Sequence, residues 1–257
     1  VSDVSGQSAE VTSGGTTKLT GALGDLTLLS SGDAEVTESD DLLVNSLEVS
    51  QGSLSLTVGG NLSATLAKAS ANATLKVGGT GVVEKLSAGS NLSIETGGLL
   101  DVSDVSGQSA EVTSGGTTKL TGTLIDLALI SANTATIREF DSLTVVDVEV
   151  TAGDLFLTAG ENIAINGGAR VSENMTVQAG ELGTGSITNS DEDAFVVGET
   201  LTLSTGSSGD VRLSKLVEAE RVVISAAGRI EQVGNFLQAT FLSASAEGIE
   251  MNISVDE

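Results

Sequence analysis

The chain has 257 residues, a formal net charge of −24 and five Phe, and it contains no Cys, His, Trp, Tyr or Pro. Without His and Cys, it lacks the usual general base, the thiolate nucleophile and the commonest transition-metal ligands. The excess of acid excludes the basic surface that nucleic-acid binding requires. Hydrophobic residues make up 39% of the chain, so a core of Leu, Val, Ile and Ala is expected.

One block occurs twice without a single change: residues 1–21 and 102–122 both read VSDVSGQSAEVTSGGTTKLTG. Weaker matches continue at the same offset, as an internal repeat predicts. Because the chain opens within a repeated block, we expect it to be a piece of a longer protein. The predicted organisation is one continuous solenoid of β-helix repeat unit 1 at 1–101, repeat unit 2 at 102–209 with a loop insertion near 189–195, and a partial third unit at 210–257.

Short alternating segments follow one another along the chain. In 9–12, 17–20 and 25–28 an apolar residue occupies every second position, which predicts strands with one buried face. Gly and Asn or Asp interrupt the alternation, because these residues turn the chain at low cost. The turn-plus-strand signature recurs at 24–28 (GDLTL), 60–64 (GNLSA), 90–94 (SNLSI), 153–157 (GDLFL), 161–165 (ENIAI), 199–203 (ETLTL) and 209–213 (GDVRL).

Two all-β architectures fit such strands. An antiparallel sandwich favours hairpins with Asn-Gly or Asp-Gly turns, and Asn166-Gly167 is the one dipeptide of this kind in the sequence. A parallel β-helix stacks short strands coil on coil around a narrow bore that suits Leu, Val, Ile and Ala. The prediction is an all-β, right-handed parallel β-helix (β-solenoid) with about 20 residues per coil.

Four phrases resemble the coils of filamentous-haemagglutinin-like repetitive bacterial surface proteins and exoproteins, namely 59–63 (GGNLS), 88–94 (AGSNLSI), 153–160 (GDLFLTAG) and 227–232 (AGRIEQ). The resemblance covers most of the chain. It implies right-handed parallel β-helix repeats and an extracellular or cell-surface location, in a structural fibre or adhesin. It assigns no catalytic residue.

Two acidic clusters, 35–41 (EVTESDD) and 191–193 (DED), are the candidates for cation binding. Ca²⁺ takes six to eight oxygen ligands, so Asp191 and Asp193 are candidate metal ligands. The competing interpretation is a solvated acidic surface that discourages sideways strand association. Apart from Ca²⁺, no cofactor is expected.

Five Asn-x-Ser/Thr sequons are candidate N-glycosylation sites, at Asn61, Asn72, Asn91, Asn174 and Asn252. The competing interpretation is chance in a chain rich in Ser and Thr, with Asn placed at turns.

These observations favour a structural and interaction protein over an enzyme. The main hypothesis is a segment of an extracellular or cell-surface β-helical fibre or adhesin, able to assemble end to end into filaments. Its partners are then other copies of the chain, or a host or neighbouring cell surface, with no nucleic acid and no insertion into a membrane. The alternatives are a Ca²⁺-binding matrix or surface-layer module and, more weakly, a β-helix enzyme that acts on polysaccharides through paired carboxylates.

Overall fold

The computed structural model describes residues 4–189, 194–233, 237–251 and 253–254, which form two compact units, Val1–Leu124 and Ile125–Glu257. Among the described residues there are strands and turns but no helix. The first unit holds β1 (Val4–Ser13), β2 (Thr17–Ser30), β3 (Ala34–Glu38), β4 (Leu42–Val49), β5 (Leu54–Val58), β6 (Leu62–Ala69), β7 (Ala73–Val77), β8 (Gly81–Ala88), β9 (Asn91–Thr96), β10 (Leu100–Ser114) and the start of β11 (Thr118–Ser131).

The second unit begins within β11 and continues through fourteen further strands. These are β12 (Ala135–Glu139), β13 (Leu143–Val150), β14 (Leu155–Ala159), β15 (Ile163–Ile165), β16 (Ala169–Val171), β17 (Met175–Ala179), β18 (Ile187–Asn189), β19 (Phe195–Thr205), β20 (Val211–Leu213), β21 (Val217–Ser225), β22 (Arg229–Gln232), β23 (Leu237–Ser245), β24 (Gly248–Glu250) and β25 (Ile253–Ser254).

The strands pair in parallel with strands one coil further along the chain. Leu54 of β5 lies opposite Ala73 of β7, and Ala73 lies opposite Leu92 of β9. Such pairing, with about 19 residues per turn, confirms the predicted all-β, right-handed parallel β-helix.

Each coil in the middle of the first unit has three inward-facing segments. A five-residue strand such as β5 has the burial pattern expected of strict alternation, with Leu54, Leu56 and Val58 at most 2% exposed. The eight-residue strands that alternate with these short strands lose the in–out alternation near their middle. In β4, for example, Asn45 and Ser46 both lie outside the core, and the strand bends there between two inward-facing stretches.

Register carries this inward pattern from coil to coil. Since parallel partners occupy the same position on successive coils, an inward Leu lies on an inward Ala or Val and the aliphatic core is continuous within the unit. Burying one such Leu side chain contributes about 1.5–3 kcal/mol. The narrow bore explains why the sequence uses aliphatic residues for this core and almost no aromatic ones.

A column of glycines allows one corner of the first unit to close. A Cβ on Gly78 would overlap the carbonyl oxygen of Gly59, and a Cβ on Gly97 would overlap that of Gly78 in the same way. No larger residue fits at these positions without moving backbone, so Gly is required here by close approach between coils.

Two successive coils of the second unit are longer than the coil before them. Ile163 pairs with Ile187 and Ile187 pairs with Val211, each 24 positions later, whereas Leu143 pairs with Ile163 after 20. The extra length before β18 lies in the turn after Ala179, where Gly180 has a φ of 76°. An insertion near 189–195 was predicted, and residues 190–193 lie outside the described residues.

The sequence repeat reappears in the strands. β2, β3, β4 and β5 have counterparts β11, β12, β13 and β14 of the same lengths at an offset of 101 positions. Matching inward residues account for this recurrence, because most of the turns between these strands differ in sequence. The unit boundaries drawn from the sequence at 101 and 209 stay a prediction.

Candidate functional site

The turns of the first unit carry columns of short polar side chains, here called ladders, in which each member bonds to the next coil. Asp41 Oδ1 accepts hydrogen bonds from Asn61 N at 2.6 Å and from Asn61 Nδ2 at 3.1 Å. Asn61 Oδ1 in turn accepts a hydrogen bond from Thr80 N at 2.9 Å. A backbone N–H at a corner has no strand partner, and the ladder supplies its acceptor.

A second ladder of the first unit starts at Asp33. Its Oδ1 accepts a hydrogen bond from Ser53 N at 2.8 Å. Further along, Asn72 Oδ1 accepts from Asn91 N at 3.2 Å, and Asn91 Oδ1 accepts from Ser109 Oγ at 2.8 Å. Asn, Asp and Ser thus stack at one corner because each presents a short oxygen-bearing side chain to the coil above.

The second unit has ladders of the same kind. Asp154 Oδ1 accepts hydrogen bonds from Asn174 N at 3.0 Å and from Asn174 Nδ2 at 2.8 Å, and Asn174 Oδ1 accepts from Thr200 N at 3.2 Å. At another corner Asn162 Oδ1 accepts from Ser186 N at 2.9 Å. Both units therefore stabilise their corners by the same device.

Four of the five sequons lie in these ladders. Asn61, Asn72 and Asn91 are exposed and Asn174 is half-buried, and each uses its side-chain oxygen as an acceptor toward the next coil. N-glycosylation at these four positions stays a prediction. Asn252 lies outside the described residues.

The acidic segment 35–41 disperses its carboxylates over different environments. Glu35 faces outward, with its Oε1 2.6 Å from Lys18 Nζ, and Asp41 belongs to a ladder. Glu38 points into the core and is 2% exposed. Among the described residues, no cluster of three acidic side chains is placed to hold a metal ion. Asp191 and Asp193, the predicted metal candidates, lie outside the described residues.

Glu38 is a buried carboxylate, whereas both interpretations of the cluster 35–41, cation binding and a solvated acidic surface, place its side chains on the outside. Its Oε2 accepts a hydrogen bond from Leu23 N at 2.6 Å, and its Oε1 accepts one from Ser39 N at 2.9 Å. The alternation of Ala34, Val36 and Glu38 marks all three as inward, and this signal was available in the sequence. Glu139, at the matching position of the second repeat, is 1% exposed.

Most outward cations of the first unit pair with an acid on an adjacent coil. Lys76 Nζ lies 3.3 Å from Glu95 Oε2, and Lys85 Nζ lies 2.9 Å from Asp104 Oδ2; in both pairs the residues are register partners. All four side chains are at least half exposed, so each pair contributes at most about 1 kcal/mol. Parallel register stacks the side chains of successive coils, so each of these cations lies directly beside the acid of the next coil.

The second unit carries an exposed surface that combines apolar and charged side chains. Arg138 forms a bidentate pair with Glu181, with Nε–Oε2 and Nη2–Oε1 distances of 3.0 and 2.9 Å. The Arg138 guanidinium lies 5.9 Å from the centre of the Phe140 ring. Phe140 is 44% exposed and Leu182, in the turn after β17, is 76% exposed. We call these four residues the Arg138 patch.

Comparisons of the chain with models of protein families, with curated proteins and with solved structures found no match. The described residues contain no helix that is long and apolar enough to span a bilayer.

Proposed function

We propose that this chain is a structural and interaction segment of an extracellular or cell-surface β-solenoid fibre or adhesin, of the filamentous-haemagglutinin-like kind that its coil phrases resemble. In this role the aliphatic core and the ladders maintain the stack of coils, and outward side chains meet the partner. Such a protein performs no catalysis, and its repeats add further outward surface without a new core design.

The supporting observation is a contrast between inward and outward residues of the two repeats. At matched positions the inward residues keep their character, as in the pairs Ala34/Ala135, Val36/Ile137, Leu42/Leu143, Leu54/Leu155 and Leu56/Leu157. Outside the identical block, several outward residues change class, as in Thr37/Arg138, Ser39/Phe140, Ser55/Phe156 and Asn45/Val146. A scaffold with a constant core and a variable surface is the pattern of a recognition protein.

The Arg138 patch is the strongest instance of this change. Its unit-1 counterparts at Arg138 and Phe140 are the small polar residues Thr37 and Ser39. Aromatic residues and Arg are enriched in protein interfaces, where they contribute a large share of the binding energy. An acidic solenoid that gains these residues in one repeat gains a surface suited to a partner.

Location is the first test of this proposal. Antibodies raised against the purified chain should label the outside of intact cells that produce the protein, and proteases added to those cells should remove the label. Labelling that needs permeabilised cells, together with resistance to added protease, would contradict an extracellular role.

The surface contrast provides a second test. The variant R138T/F140S installs the unit-1 residues on the Arg138 patch, and we expect it to lose adhesion of the chain to cells while its melting temperature changes little. The control I137V makes the same kind of unit-1 replacement at the inward position just before Arg138, and should leave adhesion unchanged. If both variants adhere equally well, the Arg138 patch is not the surface that binds the partner.

A further inference from the structure

One face of the second unit has outward side chains that carry no charge. Five strands form it, β14, β17, β19, β21 and β23, and each pairs in parallel with the next. Their outward residues lie in two columns, with one residue per coil in each. These ten residues, here called the uncharged face, are Phe156, Thr176, Thr202, Val223 and Ser243 in one column and Thr158, Gln178, Ser204, Ser225 and Ser245 in the other.

The corresponding face of the first unit shows that the fold does not require this lack of charge. There the same two columns run through β2, β3, β5, β7, β9 and β10. Five of these twelve outward residues are charged, namely Lys18, Glu35, Lys76, Glu95 and Glu111. In a chain with a net charge of −24, adjoining outward residues without any charge are therefore a property of this particular surface.

The hydrogen-bonding groups of the uncharged face are available to a ligand. Within the part of the chain that the structure describes, no hydrogen bond joins a Thr, Ser or Gln side chain of this face to another group. By contrast, Asp154 and Asn174, at a corner of the same coils, are joined by two. A hydroxyl or amide side chain both donates and accepts. The face therefore presents a regular array of donors and acceptors, about 4.8 Å apart along each column.

An exposed aromatic ring lies within this array. Phe156 is 39% exposed, and its register partners on the two adjacent coils are Thr136 and Thr176. Hydroxyl groups thus lie on both sides of a ring that offers an apolar surface. In the other column Thr158 is the register partner of Arg138. The uncharged face therefore continues from the Arg138 patch, whose guanidinium is already paired with a carboxylate.

The size of the uncharged face favours a polymer chain over a second protein as its partner. Five coils at a step of about 4.8 Å span about 19 Å, and a five-residue strand spans about 16 Å, so the face has an area of about 300 Å². A stable protein–protein interface buries about 800 Å² on each partner. A single polysaccharide chain is narrow enough to lie within such a strip.

We propose that the uncharged face binds an extended, uncharged polysaccharide, of the kind that β-1,4 linkages produce. Sugar hydroxyl groups donate and accept hydrogen bonds, as the Thr, Ser and Gln side chains of the face do, and the C–H face of a sugar ring can pack on Phe156. Because the chain carries a net charge of −24, it repels anionic polysaccharides. This inference deepens the proposed function, on which it rests, by naming the chemical class of the partner.

Affinity electrophoresis under native conditions tests the proposal, because the net charge moves the full chain toward the anode. The probe is soluble glucomannan, an uncharged β-1,4-linked polysaccharide, cast into the gel. We expect the chain to be retarded increasingly as the glucomannan concentration rises, beyond the shift of an unrelated acidic protein. Carboxymethylcellulose, which has the same linkage and carries carboxylates, should not retard it. A chain that migrates freely through glucomannan, or that both polymers retard equally, would overturn the proposal.

Two matched variants locate the binding site. T176E/T202E places two carboxylates on the uncharged face, and we expect it to weaken the binding of glucomannan by more than about tenfold. T57E/T74E adds the same two charges at half-buried outward positions of the first unit, and should bind as the wild-type chain does. Both variants have the same net charge, so their mobilities without glucomannan are comparable. Equal affinities of the two variants for glucomannan would contradict binding at the uncharged face.

The exchange F156S tests the ring without adding a charge. Ser55 occupies the matched position of the first unit, so a serine there is compatible with the fold. We expect F156S to keep its melting temperature and to bind glucomannan about threefold or more weakly. The same variant keeps the site testable if T176E/T202E fails to fold. Unchanged binding of glucomannan by F156S would contradict the packing of a sugar on this ring.

The two proposals fail separately. A chain that labels the outside of cells but migrates freely through glucomannan keeps its extracellular role and loses the uncharged face as a polysaccharide site. A chain that glucomannan retards but that is confined to the cell interior keeps the binding site and loses the proposed function.

Discussion

Truncation of one valine in each identical block measures how much a covering coil contributes. Val112 lies opposite Ile94 of the preceding coil and is 1% exposed, and Val112→Ala removes two buried methyl groups. At about 0.8 kcal/mol each, with a further cost for the cavity, we expect a loss of about 2–3 kcal/mol. Val11 is half-buried, so Val11→Ala should cost about 1 kcal/mol. Because the flanking sequence is the same, local effects on the unfolded chain largely cancel.

The assay is urea unfolding followed by far-UV circular dichroism, since the chain has neither Trp nor Tyr for fluorescence. Thr12→Ala and Thr113→Ala, at exposed outward positions next to the two valines, are the controls and should have equal, small effects. Equal losses from Val11→Ala and Val112→Ala would refute the argument that the neighbouring coil decides the burial of the block.

Three further predictions concern the corners and cation binding. Asn61→Ala removes the acceptor of Thr80 N and a partner of Asp41, so we expect the free energy of unfolding to fall by about 1–2 kcal/mol. The control Asn45→Ala, at an exposed position, should lower it by at most about 0.5 kcal/mol. Equal urea midpoints for the two variants would contradict a stabilising role for the ladder. Gly78→Ala places a methyl group against a carbonyl oxygen of the previous coil and should lower the free energy of unfolding by about 1–3 kcal/mol or more. The control Gly14→Ala adds a methyl group that meets nothing within 4 Å, and it should leave the urea midpoint nearly unchanged. For a structural fibre segment, EDTA should leave the melting temperature unchanged, whereas a rise of many degrees with millimolar Ca²⁺ would favour the Ca²⁺-module alternative.

The sequence predicts the core because the signal there is local. Alternation in 54–58 marks Leu54, Leu56 and Val58 as inward, and all three are buried. The same alternation marks Glu38 as inward, but the charge of its side chain favoured a solvent-exposed position. In the structure the backbone N–H groups of Leu23 and Ser39 donate hydrogen bonds to this buried carboxylate. Leu23 lies fifteen positions earlier and is brought next to Glu38 only when the coil closes.

The ladders and ion pairs could not be predicted because they depend on register between coils. In the sequence Asn61 is recognisable only as a turn residue or as part of a sequon. Its role as hydrogen-bond acceptor for Thr80 N depends on Thr80 lying one coil later. Lys85 gains its partner Asp104 by the same 19-residue step. Coil lengths in the first unit vary from 17 to 20 residues, so a uniform repeat length does not identify such partners.

Distances between spin labels along one outward column would test the stacked-coil account most directly. Register places one residue per coil in this column of the first unit, in the order Lys18, Glu35, Ser55, Thr74, Ser93 and Glu111. Cysteines introduced in pairs can be labelled cleanly, and double electron–electron resonance then gives the separation within each pair.

Successive coils of a parallel solenoid are about 4.8 Å apart, so the pair Lys18 and Ser93 should be about 19 Å apart and the pair Lys18 and Glu111 about 24 Å apart. The step of about 5 Å between the two pairs is the prediction. A separation that fails to grow from Ser93 to Glu111, as strands folded back in hairpins would give, would contradict the parallel stack on which the proposals rest.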